Sequence, residues 1–352
     1  MAVIQDREAS ALYIGIARQH ALSHPISTHA LDALTPELDG NDLAEQTLPL
    51  TGILDFWQQT ADLCAAPTFG LQAGNQCHLS VYGLFSHLLM SCPTLHRALQ
   101  LGADYLHLLN EALETRLDIG PDESTYSLTY PVDHPGARHH IEFHLASVVQ
   151  LGRQIVRQKE RARLRPRRIE FCHGPAAAKE QYEKVFDCEV AFGKPRNQMV
   201  FSTELLEIPG HTPNSGLYGH MLKLLEAIRD HRRSQKPFRS RVCETLNHQQ
   251  STSTWPTLEA LAHELGVSPS SLKRKLKQEQ TSYQEICDDL RYKQARRMLT
   301  AKRLAIGEIA HQLGFSSPAS FSRSFKRWSG MAPHDYAIQA KPGAPHMQES
   351  PL

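Results

Sequence analysis

In "SFSRSFKRW" (Ser320–Trp328), Ser320, Arg323 and Arg327 fall at i, i+3 and i+7, one face of a helix. Phe321, Phe325 and Trp328 fall at i, i+4 and i+7 on the opposite face, which is the spacing of a core stripe. No acidic residue lies between Ser316 and Met331, so the polar face carries its cations without local neutralisation. Arginine presents a planar fork of donors that pairs bidentately with phosphate oxygens or with O6 and N7 of guanine. The chemistry on offer is anion or base-edge recognition; an ordinary solvated helix face is the alternative.

A second segment repeats the pattern. "ALAHELGVSPSSLKRKLK" (Ala260–Lys277) aligns with "EIAHQLGFSSPASFSRSFK" (Glu308–Lys326) at an offset of 48 residues, which becomes 49 after one extra residue in the second turn. Ala262-His263 then matches Ala310-His311, Leu272 matches Phe321, Arg274 matches Arg323 and Lys277 matches Lys326. This is an internal duplication of one supersecondary element. Each copy predicts helix, tight turn, helix. Thr257 is placed to cap the first helix, and Gly266 and Gly314 supply the left-handed residue that ends each first helix. Ser268, and Ser316 or Ser317, offer N-caps for the second helices, with Pro269 and Pro318 in their first turns. Between the copies, "SYQEICDDLRYKQARRMLTA" has neither Gly nor Pro and predicts one connecting helix.

Two such modules joined by a helix resemble the DNA-binding domain of the AraC/XylS transcription regulators, over Phe238–Ala337. The part most like the family signature is "IAHQLGFSSPASFSRSFKRWSGMAPHDY". Two departures stand out: Leu276 where an aromatic is usual, and Ala337 where a basic residue is common. The resemblance implies that the second helix of each module enters a major groove of double-stranded DNA. By motif position Ser270, Ser271 and Arg274 face base edges from the first module, and Ala319, Ser320 and Arg323 from the second. Lys273, Lys277, Lys326 and Arg327 are placed for phosphates, which position a protein without reading sequence. Phe321, Phe325, Trp328, Leu272 and Leu276 are expected in the core.

The front of the chain differs. A chain of 352 residues with 41% apolar content holds two or three domains. Its net charge of +1 hides an asymmetry. Residues 1–120 carry four Lys/Arg against thirteen Asp/Glu, a charge of −9, whereas residues 255–336 carry thirteen against eight, a charge of +5. The C-terminal part is suited to a polyanion and the N-terminal part to water or protein. No apolar run is long enough for a membrane span, and the polar N-terminus is not a secretory signal. Seven scattered cysteines without a CxxC suit a reducing cytoplasm.

Helical periodicity covers Leu48–Gly74, ending in Pro67 and a Gly-punctuated turn, and Cys92–Leu113, with Leu95, Leu99, Ala103 and Leu106 on one stripe. From Ser124, "STYSLTYPV", "RRIEFCHG", "EVAFG" and "QMVFSTELLEI" read as strands, with "AAAKEQYEKVF" as a helix among them. The fold class expected is therefore multidomain: an α+β N-terminal domain (1–230), a charged linker (231–237), an all-α C-terminal domain with two helix-turn-helix modules (238–337), and a flexible tail (338–352). "HQQSTSTWP" is expected to form a loop within the C-terminal domain. "FGLQAG", "CPTLHRAL" and "QMVFSTELL" resemble the N-terminal sensor domain of a subset of AraC-type regulators, the ornithine-utilisation regulators among them. That implies a small-molecule effector, an amino acid or other small metabolite, and leaves its identity and its pocket open.

Twenty histidines raise a metal reading. "RHHIEFH" (Arg138–His144) sets His140 and His144 one helical turn apart with Glu142 nearby, and Cys172 or His173 would have to complete a site of three or four ligands. Core or solvated histidines are the alternative. No nucleophile elbow, P-loop, dinucleotide fingerprint or HExxH occurs, so neither an enzyme nor a cofactor is expected. "GLYGHMLKLLEAIRD" carries Leu217, Met221, Leu224, Leu225 and Ile228 on one stripe, which packs on its own domain or against a second subunit in a homodimer. The reading is a cytoplasmic, bacterial-type, ligand-responsive regulator with RNA polymerase as a further partner and no membrane. Activation is favoured because the resemblance is to a mostly activating family. The rival is a metal-sensing or enzymatic N-terminal domain tethered to a DNA-binding tail.

Overall fold

The computed structural model describes residues 7–38, 43, 46–130, 132, 134–235, 237–248, 255–301 and 304–339. The chain divides into two units, Met1–Arg229 and Asp230–Leu352.

The N-terminal unit mixes helices with a sheet, as the change of texture near Ser124 predicts. It runs β1 (Glu8–Ser10), α1 (Leu12–Ala21), α2 (Thr28–Leu34), β2 (Thr47–Pro49), α3 (Leu50–Leu63), α4 (Phe69–Asn75), α5 (Leu84–Met90) and α6 (Leu95–Tyr105). It continues with β3 (Glu114–Ile119), β4 (Glu123–Thr129), α7 (Ala137–Ile155), β5 (Arg168–Glu170), α8 (Lys179–Phe186), β6 (Glu189–Ala191), β7 (Asn197–Ser202) and α9 (Ser215–Gln235). Strands β3-β4-β7-β5-β6 form one sheet, antiparallel except for the β5–β6 pair, whose parallel alignment uses α8 as its crossover. Along β4, Ser124, Tyr126 and Leu128 are buried and the residues between them are half-buried, the period-2 pattern of a strand with one covered face. Tyr126 lies opposite Leu117 on one side and Met199 on the other. A short β1–β2 ladder stands apart from this sheet.

Three readings change. "FGLQAG" is helix α4, not a turn. A Cβ at Gly70 would lie 2.1 Å from the His139 carbonyl oxygen, and one at Gly74 would lie 2.5 Å from that of Phe143. These glycines let α4 approach the backbone of α7, a use of glycine that periodicity does not distinguish from a turn. "RHHIEFH", by contrast, is helical as its spacing allowed: it opens the 19-residue helix α7, most of whose first half is buried. On α9 the packed face is rotated from the expected stripe: Tyr218, Met221, Leu222 and Leu225 join a cluster with Leu88, Leu101 and Ile155, while Leu217 and Leu224 stay 39% and 46% exposed. The same helix extends through Gln235, so most of the segment read as a linker is helical.

The C-terminal unit is all helix: α10 (Phe238–His248), α11 (Leu258–Glu264), α12 (Pro269–Gln278), α13 (Tyr283–Ala301), α14 (Ile306–Gln312), α15 (Pro318–Ser329) and α16 (Pro333–Gln339). It has two cores. Leu261, Leu272, Leu276, Ile286, Cys287 and Leu290 belong to the first, and Ala295, Leu299, Ile309, Leu313, Phe321 and Phe325 to the second. Helix α13 therefore gives its first half to one module and its second half to the other. Residues 249–254, where most of the expected loop falls, and 340–352 of the expected tail lie outside the described residues, while residues 338 and 339 belong to α16 and not to a flexible tail.

Candidate nucleic-acid interface

Each module is built by the local chemistry expected of it. Thr257 Oγ1 accepts from Ala260 N–H at 3.2 Å at the start of α11. Gly266 and Gly314 take φ of +66° and +75°, the left-handed conformation that ends a helix without a Cβ clash. Ser268 caps α12 by accepting from Ser271 N–H at 3.2 Å. Of the two candidates in the second module, Ser317 is the cap, accepting from Ser320 N–H at 3.2 Å. Pro269 and Pro318 occupy the first helical turn in both.

The caps use up part of the polar face. Ser320 Oγ donates to the Ser317 carbonyl at 2.7 Å, and the Ser270 and Ser271 hydroxyls both lie 3.0 Å from Ser268 Oγ. Ser271 and Ser320 are half-buried; Ser270, Lys273, Arg274, Lys277, Ala319, Arg323, Lys326 and Arg327 are exposed. On α12, residues 270, 273, 274 and 277 form one outward stripe; on α15, residues 319, 323, 326 and 327 form its counterpart. Beneath them Leu272, Leu276, Phe321 and Phe325 are fully buried, and Trp328 is half-buried against the second core. Arg274 and Arg323 make no ion pair among the described residues. Arg327 does, with Asp288 of α13 at 2.8 Å.

One residue that sequence reasoning passed over links the modules. The Arg291 guanidinium lies 4.8 Å from the Trp255 ring centroid and 5.4 Å from that of Phe315. Trp255 packs on the first core and Phe315 on the second, so one cation on α13 touches aromatics of both. Its only signal in sequence is a basic residue on a helix rich in them.

The comparisons with known proteins agree with this geometry. The arabinose-binding N-terminal domain of AraC transcription regulators matches residues 33–209, and a helix-turn-helix domain matches residues 261–339. The ornithine utilization regulator of Pseudomonas aeruginosa is 30% identical over 288 residues, which is 80% of this chain and 83% of that protein. The chain belongs to the AraC/XylS family. It is a sequence-specific DNA-binding transcription regulator. The HTH-type transcriptional regulator VirS of Mycobacterium tuberculosis is 25% identical over 289 residues, 82% of this chain and 84% of that protein. The crystal structure of the regulator CdpR from Pseudomonas aeruginosa shares 24% identity and a TM-score of 0.43, covering 80% of this chain and 90% of that one.

In this AraC/XylS regulator the histidines of α7 are core residues. The His140 ring lies between Trp57, Tyr13 and Tyr130, with centroids 4.8, 5.1 and 5.9 Å away. Burial pushes His140 well below the ordinary imidazole range and holds His139 and His144 down at about 3. Glu142 is buried as well. It accepts from Arg138 at 3.1 Å and from the Tyr182 hydroxyl at 2.9 Å, and burial raises its carboxyl to about 7. His173 does approach, with Nε2 at 3.9 Å from Glu142 Oε1, but no group of three His, Cys, Asp or Glu side chains among the described residues could hold a metal ion. Nor, among those residues, is any helix long and apolar enough to cross a membrane.

Proposed function

We propose that the protein is a ligand-responsive regulator that reads two base clusters about one turn of DNA apart with one subunit. The observation that carries this is the pairing of two outward arginines, Arg274 and Arg323, each on the second helix of its own capped module, with neither neutralised by a carboxylate among the described residues. Helix α13 is 19 residues long, about 28 Å at 1.5 Å per residue. Recognition helices spaced on that scale suit successive major grooves, whose repeat is about 34 Å. Arg274 and Arg323 read base edges, with Ser270 beside Arg274 in the first module and Ala319 against a thymine methyl beside Arg323 in the second. The hydroxyls of Ser270, Ser271 and Ser320 contribute less, because contacts at the caps already engage them. Lys273, Lys277 and Lys326 bind phosphates, and Arg327 joins them when released from Asp288.

The N-terminal domain, taken as residues 1–230, senses a small molecule, and binding there shifts the fraction of protein competent for DNA or RNA polymerase. The family's habit favours activation in the cytoplasm. The exposed Leu217 and Leu224 on α9 support a homodimer contact, while the adjacent face of that helix packs on its own domain.

Binding-site selection on wild type, Arg274→Ala and Arg323→Ala at one fixed salt concentration tests the reading. Each arginine variant is expected to lose about 1–3 kcal/mol and to relax preference at one cluster only. Uniform weakening with unchanged preference would reduce both residues to phosphate contacts.

A further inference from the structure

The N-terminal domain contains a cavity of ≈ 60 Å³ between α6 and α7, adjoining a second of ≈ 40 Å³; Leu95, Leu99, Val148 and Gly152 line both. No charged side chain lines the first. Its polar groups are Tyr82, Tyr126, His144 and Ser147. His144 is buried, and its Nε2 has no hydrogen-bond partner among the described residues. A buried polar atom without a partner is costly, and a ligand that pairs with it recovers the loss.

Gly152 is the second observation. It lies inside α7, where glycine weakens a helix relative to alanine. Gly70 and Gly74 are needed for the close approach of two backbones, but a Cβ at Gly152 would meet nothing nearer than Leu95 Cδ1 at 3.7 Å, an ordinary contact. Packing does not require this glycine. What it preserves is the space shared by the two cavities.

We infer that this paired cavity is the effector site, that it takes an uncharged, largely apolar molecule bearing one hydrogen-bonding group directed to His144, and that Gly152 keeps the passage between its lobes open. This rests on the ligand-responsive reading above and names its chemistry. A zwitterion or dication would bring unpaired charge into an apolar space, a large desolvation cost. The second cavity's only charged lining residue, Arg165, is already paired with Asp187 at 2.9 Å. The site also has a route outward. Phe85, Leu89, Ala98 and Ile155 line the cavity and belong to the cluster on which Tyr218, Met221 and Leu225 of α9 rest. Filling the cavity stiffens the bed of the last helix before the C-terminal unit, which gives the ligand a differential effect on α9.

The test is calorimetric titration of the full-length protein with 1-hexanol, phenol, hexanoate and L-ornithine, beside thermal unfolding of each variant. The neutral probes are expected to bind saturably with one site per chain, and the charged ones at least tenfold more weakly. Gly152→Leu, with Gly152→Val as the milder variant, is expected to reduce neutral-probe affinity at least tenfold while keeping the melting temperature. His144→Phe is expected to keep the fold and lower hexanol affinity about tenfold. Saturable binding of hexanoate or ornithine that Gly152→Leu leaves unchanged, or no binding of the neutral probes, overturns the assignment. Sequence-selective DNA binding is measured in the same samples. If ornithine or hexanoate modulates it while the neutral probes do not bind, ligand-responsive regulation stands and the cavity assignment falls. If no probe that binds changes DNA binding, the ligand-responsive reading itself falls.

Discussion

Arg327 Nη2 lies 2.8 Å from Asp288 Oδ2, so the last turn of α15 is tied to the first half of α13. The pair is solvent-exposed on the arginine side, where such bridges contribute about 0–1 kcal/mol. Its consequence is for binding: the guanidinium must leave a carboxylate before it meets a phosphate. Lys326→Ala is therefore expected to lower the slope of log affinity against log salt by about one, and Arg327→Ala by less. Asp288→Asn is expected to strengthen binding to all sequences. Equal slope changes for the two cation variants, measured by salt titration, would show that Asp288 exerts no hold.

Arg291 couples the modules through two aromatic faces, and its side chain is largely buried. Arg291→Ala is expected to destabilise the C-terminal unit by about 1–2 kcal/mol. It is also expected to weaken binding to a two-cluster site more than to either cluster alone, since the modules then hold their spacing less well. Arg291→Lys keeps the charge but not the planar stacking and is expected to recover little of the loss. Full recovery by lysine, in denaturant titration and DNA binding together, would reject the stacking account.

Gly70 and Gly152 lie on different helices and are predicted to respond oppositely to alanine. At Gly70 the new methyl would collide with the His139 carbonyl, forcing α4 from α7 at a cost of about 3 kcal/mol or more. At Gly152 the methyl fits, and alanine is expected to stabilise by about 0.5–1 kcal/mol through helix propensity. Chemical denaturation of the two variants checks the contrast; similar effects of one sign would refute the close-approach argument.

The buried titrating groups make stability fall with acid. His139 and His144 have folded values near 3, below the ordinary 6.5, so their contribution is present above 6.5 and is lost as pH falls toward 3. Between pH 6.5 and 5 each loses about 2 kcal/mol. Glu142 works in the other sense: its folded value near 7 exceeds the ordinary 4.5, so its contribution is present below 4.5 and is lost as pH rises through 7. It returns about 2 kcal/mol over a similar range, and two imidazoles outweigh one carboxylate. Melting temperature is expected to fall between pH 7 and pH 5, more steeply in Glu142→Gln and less steeply in His144→Phe. A flat profile in wild type would mean that these imidazoles are hydrated.

Much of the C-terminal half was legible because its determinants are local. The capping residues, the left-handed glycines and the apolar stripes act within a turn or two of helix, the repeat writes them twice, and the structure realises each in place, with Ser317 chosen over Ser316 by geometry. In the N-terminal half the alternation of Ser124, Tyr126 and Leu128 announced a strand for the same reason. What sequence could not assign depends on partners far along the chain. Gly70 reads as a turn until His139 is beside it. Leu217 and Leu224 share one stripe with Met221 and Leu225 until the packed face of α9 is set by Leu88, Leu101 and Ile155. His140 and His144 stand between ligand and core in the sequence until Tyr13, Trp57 and Tyr130 close around His140, and Arg291 is one more cation on a basic helix until Trp255 and Phe315 flank it. The sequence by itself determined the two modules and the outward arginines, since short-range hydrogen bonding and periodicity specify them, and its motifs carried the resemblance to the family. The tertiary structure alone decided which buried polar groups are paired, where α7 keeps an opening, and which cations are held by acids, because those depend on packing between segments tens of residues apart.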